Sequence, residues 1–325
     1  MKLAILGAGK IVHDFLPMVQ ALPSIEVAAI CGLPQDEPEM TRLADQFPIA
    51  HVYTDINEGL ADPAVDTVYV ALPNALHFRF AKLALEAGKN VICEKPFTLH
   101  LAELETLKDI AEAKGVLLLE AITNQYLTNY QQIKADLPKL GDIKIVSCNY
   151  SQYSSRYDAF KAGTVLPVFD PKLGGGALMD LNIYNIHFVV GLLGKPVAVH
   201  YFANIDRGVD TSGILTLTYP TCQALCIAAK DCAAPVTSSI QGDAGSIIVE
   251  GPTNTVERFD ETLNGQPSIQ VDRRVSDHRM FQEFDNFERL IRLADHAEAD
   301  RRMAHSEAVM QVVDAALNDA GITLG

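Results

Sequence analysis

Lys2-Leu3-Ala4-Ile5-Leu6-Gly7-Ala8-Gly9-Lys10-Ile11-Val12 reads as a short apolar strand, a glycine turn and the start of a helix. The helical pattern continues through Phe15, Met18, Val19 and Leu22. This is the context in which a G-x-G pair holds a dinucleotide. Gly7 allows a tight turn, Gly9 lets the backbone approach a pyrophosphate, and the helix start offers N–H groups to the anion. Val12 stands where the third glycine of such a motif would be, so helix and strand must lie slightly further apart there. A purely structural turn is the alternative reading.

Outward from this turn the alternation continues. Ile25 to Ile30 forms a second strand, ending in Cys31-Gly32-Leu33-Pro34 without a carboxylate or arginine at its tip. A choice between NAD and NADP is therefore not encoded there, and nearby Asp36 reads as well as a solvated loop charge. Helices at Thr41–Phe47 and Ile56–Leu60 precede a β-rich run, Thr67–Leu72, that ends at Pro73-Asn74. A helix over Ala75–Ala87 and a strand over Asn90–Cys93 follow, and that strand stops at Glu94-Lys95-Pro96. Leu101–Ala113 is helical and Val116–Leu119 a further strand. Repeated βα units predict a doubly wound parallel sheet over residues 1–121. Ligands bind beyond the carboxyl ends of such strands, which is where Pro73, Asn74, His77, Glu94, Lys95 and Pro96 fall. A lysine there can meet a substrate, and its pKa responds to burial and to neighbouring charge. Asn74 also reads as a plain N-cap and His77 as an ordinary helix-start residue.

The alternation stops near Glu120. Asn124–Leu137 is a linking helix, and strand-like runs follow at Ile143–Tyr153, Val197–Ile205, Ser212–Tyr219, Cys222–Ala229, Val236–Gln241 and Ser246–Glu250. They predict a second α/β domain over 122–325 built on a large, mainly antiparallel open sheet. One connection carries Gly174-Gly175-Gly176 and then a helix to about Leu193. Asp180 and Tyr184 lie i,i+4 on it and so share a face, with His187 nearby. Such groups on an apolar helix need partners, so a satisfied core pair is the competing reading. The loop Gln152–Phe169, with Tyr153, Arg156, Tyr157 and Lys161, reads equally as a solvated cover or a substrate clamp. The chain ends in helices at His278–Leu293 and Ser306–Ala320, with the charged run Asp295–Arg302 as a solvated connection.

At 325 residues the chain suffices for two cored domains, and its formal charge of -15 argues against nucleic acid or anionic membrane as the main partner. No apolar run approaches the ~18–20 residues of a membrane span. Met1–Leu6 runs straight into a strand without the pattern of a secretory signal, so a cytoplasmic location is expected. Of the six cysteines, none forms a C-x-x-C pair. Cys222, Cys226 and Cys232 fit no common zinc spacing, so reduced buried thiols and no metal are expected.

Taken together, Gly7-x-Gly9, Glu94-Lys95-Pro96 and Gly174-Gly-Gly-x-Leu-x-Asp180-x-x-x-Tyr184 resemble the Gfo/Idh/MocA oxidoreductases over essentially the whole chain. Tyr184 and the stretch Val168–Gly176 look closest to the dihydrodiol/xylose dehydrogenase and glucose–fructose oxidoreductase branch. The resemblance implies a Rossmann domain for NAD or NADP and a second domain that binds a sugar- or polyol-like substrate and packs into a homodimer or homotetramer through its sheet. Lys95, Asp180 and Tyr184 match the family's catalytic positions. Gly7, Gly9, Lys10, Ile11, Val12, Pro73, Asn74, His77, Glu94, Lys95, Pro96 and Gln125 fall in its cofactor-binding segments. The implied reaction is hydride transfer to or from a carbinol carbon. Tyr184 and Lys95 would share the proton, and Asp180 would orient the substrate hydroxyl or the lysine. A non-catalytic dinucleotide-binding regulator and a nicotinamide-dependent glycoside hydrolase are the alternatives. Val12, Asn182, Pro167 and Gln125 depart from the family pattern. A cis Lys95–Pro96 bond is a further expectation.

Overall fold

Short apolar strands alternating with amphipathic helices build the first part of the computed structural model, which describes residues 1–325. The elements are β1 (Lys2–Leu6), α1 (Lys10–Val19), β2 (Glu26–Cys31), α2 (Glu37–Gln46), β3 (His51–Tyr53), α3 (Ile56–Ala61), β4 (Thr67–Val70), α4 (His77–Glu86), β5 (Asn90–Glu94), α5 (Leu101–Lys114) and β6 (Leu118–Ala121). All strand pairs are parallel, in the order β3-β2-β1-β4-β5-β6. This is the doubly wound Rossmann order, and its direction reverses between β1 and β4. The strands are apolar on both sides because helices cover both faces. β3 is not evident in the sequence, because it is a three-residue edge strand with no fully buried position.

The second part begins with a 3₁₀ turn, Thr123–Tyr126, and α6 (Thr128–Asp136). Then come β7 (Ile143–Ser151), α7 (Tyr157–Lys161), α8 (Ile183–Leu193), β8 (Ala198–Asp206), β9 (Val209–Thr218), β10 (Gln223–Ala229), β11 (Thr237–Gly242), β12 (Gly245–Glu250), β13 (Phe259–Leu263) and β14 (Ile269–Val271). They form one sheet in the order β14-β13-β12-β11-β7-β10-β9-β8. Only the β7–β10 pair is parallel. Alternation gives the sheet two faces. Tyr201, Leu215, Cys226, Cys148, Ile240 and Ile247 are buried on one. The other exposes Phe202, which is 67% accessible, together with its cross-strand partner Ile214, and Ile145 and Ile248. The helical run Pro171–Leu193 is long and apolar enough to span a membrane by composition, yet 78% of its most apolar window is buried inside the fold. It is a core helix.

Two carboxyl-terminal helices, α9 (Phe281–Leu293) and α10 (His296–Ala320), complete the chain. The charged run expected as a connection is mostly helix. The break is at Ala294, which is left-handed at φ 47. Charges in the first turns of α10 pair along its surface, Arg301 and Arg302 both with Glu298.

The chain divides into two compact units, Met1–Ala121 with Met280–Ser306, and Ile122–Arg279 with Glu307–Gly325. By sequence, all of 122–325 belongs to the second domain; in the structure, the segment 280–306 belongs to the first unit. The reason is aromatic packing. The Phe284 ring sits 4.5 Å from that of Phe15 and 5.1 Å from that of Tyr69, all three buried. Cys31, Cys93, Cys148, Cys222 and Cys226 are buried free thiols, whereas Cys232 is exposed.

Candidate functional site

In the first unit, the glycine turn has the form that an anion requires. Gly7 has φ +106, and a Cβ there would stand 2.7 Å from the Ala71 carbonyl oxygen beyond β4, so only glycine passes. A Cβ at Gly9 would meet nothing within 4 Å. Gly9 caps α1 without a side-chain bond, and no acidic residue lies in the first turn. Val12 and His13 donate to the Gly9 carbonyl, which leaves the Lys10 and Ile11 amides at a helix start without an intrahelical acceptor. Lys10 is exposed, Ile11 half-buried and Val12 buried. The cradle therefore fits a dinucleotide pyrophosphate. Asp36 Oδ2 accepts from the Leu33 amide within its own turn.

The ends of β4 and β5 carry the other expected residues of this unit. Pro73 is exposed and Asn74 half-buried. Tyr69, fully buried on β4, donates its hydroxyl to Glu94 Oε1 at 2.6 Å, and the Lys95 amide donates to Glu94 Oε2 at 3.3 Å. The Lys95–Pro96 bond is cis. His77 is fully buried, with Nδ1 2.8 Å from the Pro96 carbonyl oxygen and Nε2 2.8 Å from that of Leu72. Burial holds its pKa below the ordinary value, with a smaller contribution from the Lys95 charge, although the backbone acceptors pull the other way. Both ring nitrogens are thus engaged by backbone. His77 ties together the two strand ends, a role that the sequence pattern does not reveal.

The second unit holds Asp180 and Tyr184. The three glycines that precede them are required by close packing. Gly174 is left-handed at φ 72, and a Cβ on Gly175 would lie 2.8 Å from the Pro167 carbonyl oxygen. Gly176 has φ +121, and its Cβ would overlap Asp210 Oδ1. Asp210 in turn accepts from the Leu178 amide at 2.6 Å and the Tyr201 hydroxyl at 2.6 Å. It is fully enclosed, and burial raises its carboxyl pKa to about 6.

The helix expected from Gly174 onward starts with a π turn, Leu178–Asn182, in which the Ile183 amide donates to the Leu178 carbonyl. Asp180 lies in this wide turn and Tyr184 in α8, so the rotation between them differs from that of an unbroken α-helix. Asp180 Oδ2 is 2.8 Å from Lys230 Nζ. No sequence motif singled out Lys230; its one signal is a charge that ends the apolar run of β10. The Tyr184 side chain is buried, with its ring 6.3 Å from that of Tyr150. Gln125, expected at the cofactor, is buried and donates to the His187 carbonyl of α8. Asn124 likewise donates to the Tyr184 carbonyl, and Tyr130 to that of Phe188. Asn182 and Asn185 bond to the β10 carbonyls of Cys226 and Ile227. Buried amides thus fasten α8 on both sides.

The loop 152–169 has a small core of its own. The rings of Phe160 and Phe169 stack at 4.8 Å beside Tyr157 and Val209. The Arg207 guanidinium lies 3.6 Å above the Phe160 ring.

Residues 1–122 match an oxidoreductase family with an NAD-binding Rossmann fold, and residues 134–248 match the GFO/IDH/MocA C-terminal domain. The chain is 35% identical to the scyllo-inositol 2-dehydrogenase (NADP(+)) IolU of Bacillus subtilis, over 77% of this chain and 76% of that protein. It is 29% identical to the D-xylose 1-dehydrogenase (NADP(+)) of Hypocrea jecorina, over 98% of this chain and 87% of that protein. Among solved structures it is similar to KijD10, a 3-ketoreductase from Actinomadura kijaniata in complex with NADP and TDP-benzene. The TM-score is 0.83 at 21% identity, covering 98% of this chain and 97% of that one. None of these three is named as a regulator or a glycoside hydrolase.

Proposed function

Because the chain belongs to the Gfo/Idh/MocA family of NAD(P)-dependent oxidoreductases, we propose that it oxidises a carbinol carbon of a sugar, polyol or related hydroxy compound, or reduces the matching carbonyl, with Lys95 and Tyr184 as its proton-transfer pair. The observation that carries this reading is Lys95, set just past the carboxyl end of β5 in the same parallel sheet whose β1 ends in the glycine turn at Gly7. The names of the inositol and xylose dehydrogenases point to the same substrate class.

Bound NAD or NADP supplies the hydride acceptor in one direction and the donor in the other. Gly7, Gly9 and the Lys10 and Ile11 amides would hold its pyrophosphate, with Val12 buried in the core beneath them. Pro73, Asn74, Glu94 and Pro96 would take part in holding the cofactor, and His77 sits behind Pro96 and Leu72. Removing hydride from an alcohol requires removing the hydroxyl proton as well. Tyr184 accepts that proton and returns it in the reverse direction. An ordinary tyrosine, with pKa about 10, is a poor base at neutral pH, and the Lys95 ammonium favours its phenolate form. Lys95 also stabilises the developing alkoxide. Asp180 orients the substrate hydroxyl.

On this reading residues 1–121 form the cofactor domain, and the substrate domain begins at 122. The exposed face carrying Phe202, Ile214, Ile145 and Ile248 is the surface of a homodimer or homotetramer. The test is a screen of polyols and aldoses, including scyllo-inositol and D-xylose, with NAD and with NADP, followed at the reduced-nicotinamide absorbance band. Lys95→Met should keep cofactor affinity and lose turnover by orders of magnitude. An unchanged rate removes the assignment.

A further inference from the structure

We infer that Lys230 is a positioning residue of the substrate site, holding the Asp180 carboxylate in its working orientation and fastening the Gln152–Phe169 loop to it. The inference rests on the reading of Asp180 as a substrate-orienting group.

Lysine is almost never fully buried unless it is paired. Lys230 is 2% exposed and its ammonium is paired with a carboxylate. Nζ is 2.8 Å from Asp180 Oδ2 and 2.6 Å from the Val168 carbonyl oxygen. It also lies 4.6 Å from the centre of the Phe169 ring. The backbone of the same residue joins two further segments. Its amide donates to the Thr211 carbonyl of β9 at 2.8 Å, and its carbonyl accepts from the Ser154 amide at 2.9 Å. One residue therefore links β9, both ends of the loop and the π turn.

The asymmetry of the pair identifies its direction. Lys230 is enclosed, whereas the Asp180 side chain is 35% exposed. One Asp180 oxygen is held from inside while the carboxylate still reaches the surface of the unit. A neutral donor would satisfy the Val168 carbonyl equally well. An ammonium is needed only to fix and charge-balance a carboxylate.

The experiment compares Lys230→Met and Lys230→Gln with Asp180→Asn and with the double variants, on the sugar or polyol oxidised fastest in the screen. Lys230→Gln keeps a donor for the Val168 carbonyl and guards against a folding failure of the methionine variant. Asp180→Asn alone should lower kcat at least tenfold. The Lys230 variants should lower kcat at least tenfold with the cofactor Kd unchanged, and in the Asp180→Asn background they should add nothing. Full kcat in Lys230→Gln, alongside a loss in Asp180→Asn, overturns the role of Lys230 alone. Losses that multiply in the double variant also overturn it. Full kcat in Asp180→Asn overturns the reading of the site together with the inference.

Discussion

His77 Nδ1 stands 2.8 Å from the carbonyl oxygen of Pro96, while the other ring nitrogen stands 2.8 Å from that of Leu72. One buried imidazole thereby spans the ends of β4 and β5, the two strands whose termini carry Asn74 and Lys95. The neutral imidazole has one N–H and donates to one of the two carbonyls, so His77→Phe leaves one buried acceptor without its donor, at about 1–3 kcal/mol. Urea unfolding should show a loss of about 1–3 kcal/mol, with weaker cofactor binding. Because burial lowers the folded-state pKa of His77, the unfolded chain binds the extra proton first. Its stability contribution is full above the ordinary imidazole value of about 6.5 and is lost as pH falls below it. The variant should lack that slope.

Asp210 should produce the opposite slope. Its folded-state pKa is raised from 3.8 to about 6, so the folded chain binds the proton more tightly. The stabilisation is complete below the unfolded value and is lost as pH rises through about 6, by about 3 kcal/mol in all. Comparing unfolding midpoints of the wild type and Asp210→Asn from pH 4 to 7 isolates this term. Parallel curves would contradict it.

Gly176→Ala should be among the most damaging substitutions in the second unit. The new Cβ meets Asp210 Oδ1, and the backbone at φ +121 is unsuited to alanine in any case. Adding Asp210→Ala removes the clash but not the backbone strain. Asp210→Ala also removes the acceptor of the Leu178 amide and the Tyr201 hydroxyl, so the two melting-temperature losses should combine to less than their sum without returning to the wild-type value.

Phe284→Ala tests the allegiance of α9. Removing a fully buried ring among Phe15, Tyr69 and Phe287 should cost about 3–5 kcal/mol. The same contacts predict that a fragment of residues 1–121 alone binds a dye for exposed apolar surface. A well-packed, dye-silent fragment would show that α9 is dispensable to the first unit.

Tyr184→Phe separates proton transfer from binding. A proton-transfer role predicts a fall in kcat of about 10²–10⁴-fold with cofactor Kd and thermal stability little changed. A rise in KM at constant kcat would assign the hydroxyl to substrate binding instead.

Much of this architecture is encoded locally. The apolar runs of β1, β2, β4, β5 and β6, the turn at Gly7 and the helices between them follow from periodicity and breakers, which act over a few residues. The strands β3, β13 and β14, of which β3 and β14 are sheet edges, escaped that reading because they are short or only partly buried. The π turn at Leu178–Asn182 escaped it because one displaced hydrogen bond leaves no mark on composition.

The sequence by itself determined the family, the succession of a parallel and then a mainly antiparallel sheet, and the residues for which chemistry was expected, since motif spacing is a property of the chain. Tertiary structure alone decided what those residues rest on. Lys230 meets Asp180 across 50 positions, His77 meets Pro96 across 19, and Phe284 joins a core begun at Phe15. Each of these contacts is a buried polar or aromatic group finding the partner that its burial demands. That partner is set by which strands lie side by side, and no local pattern records it.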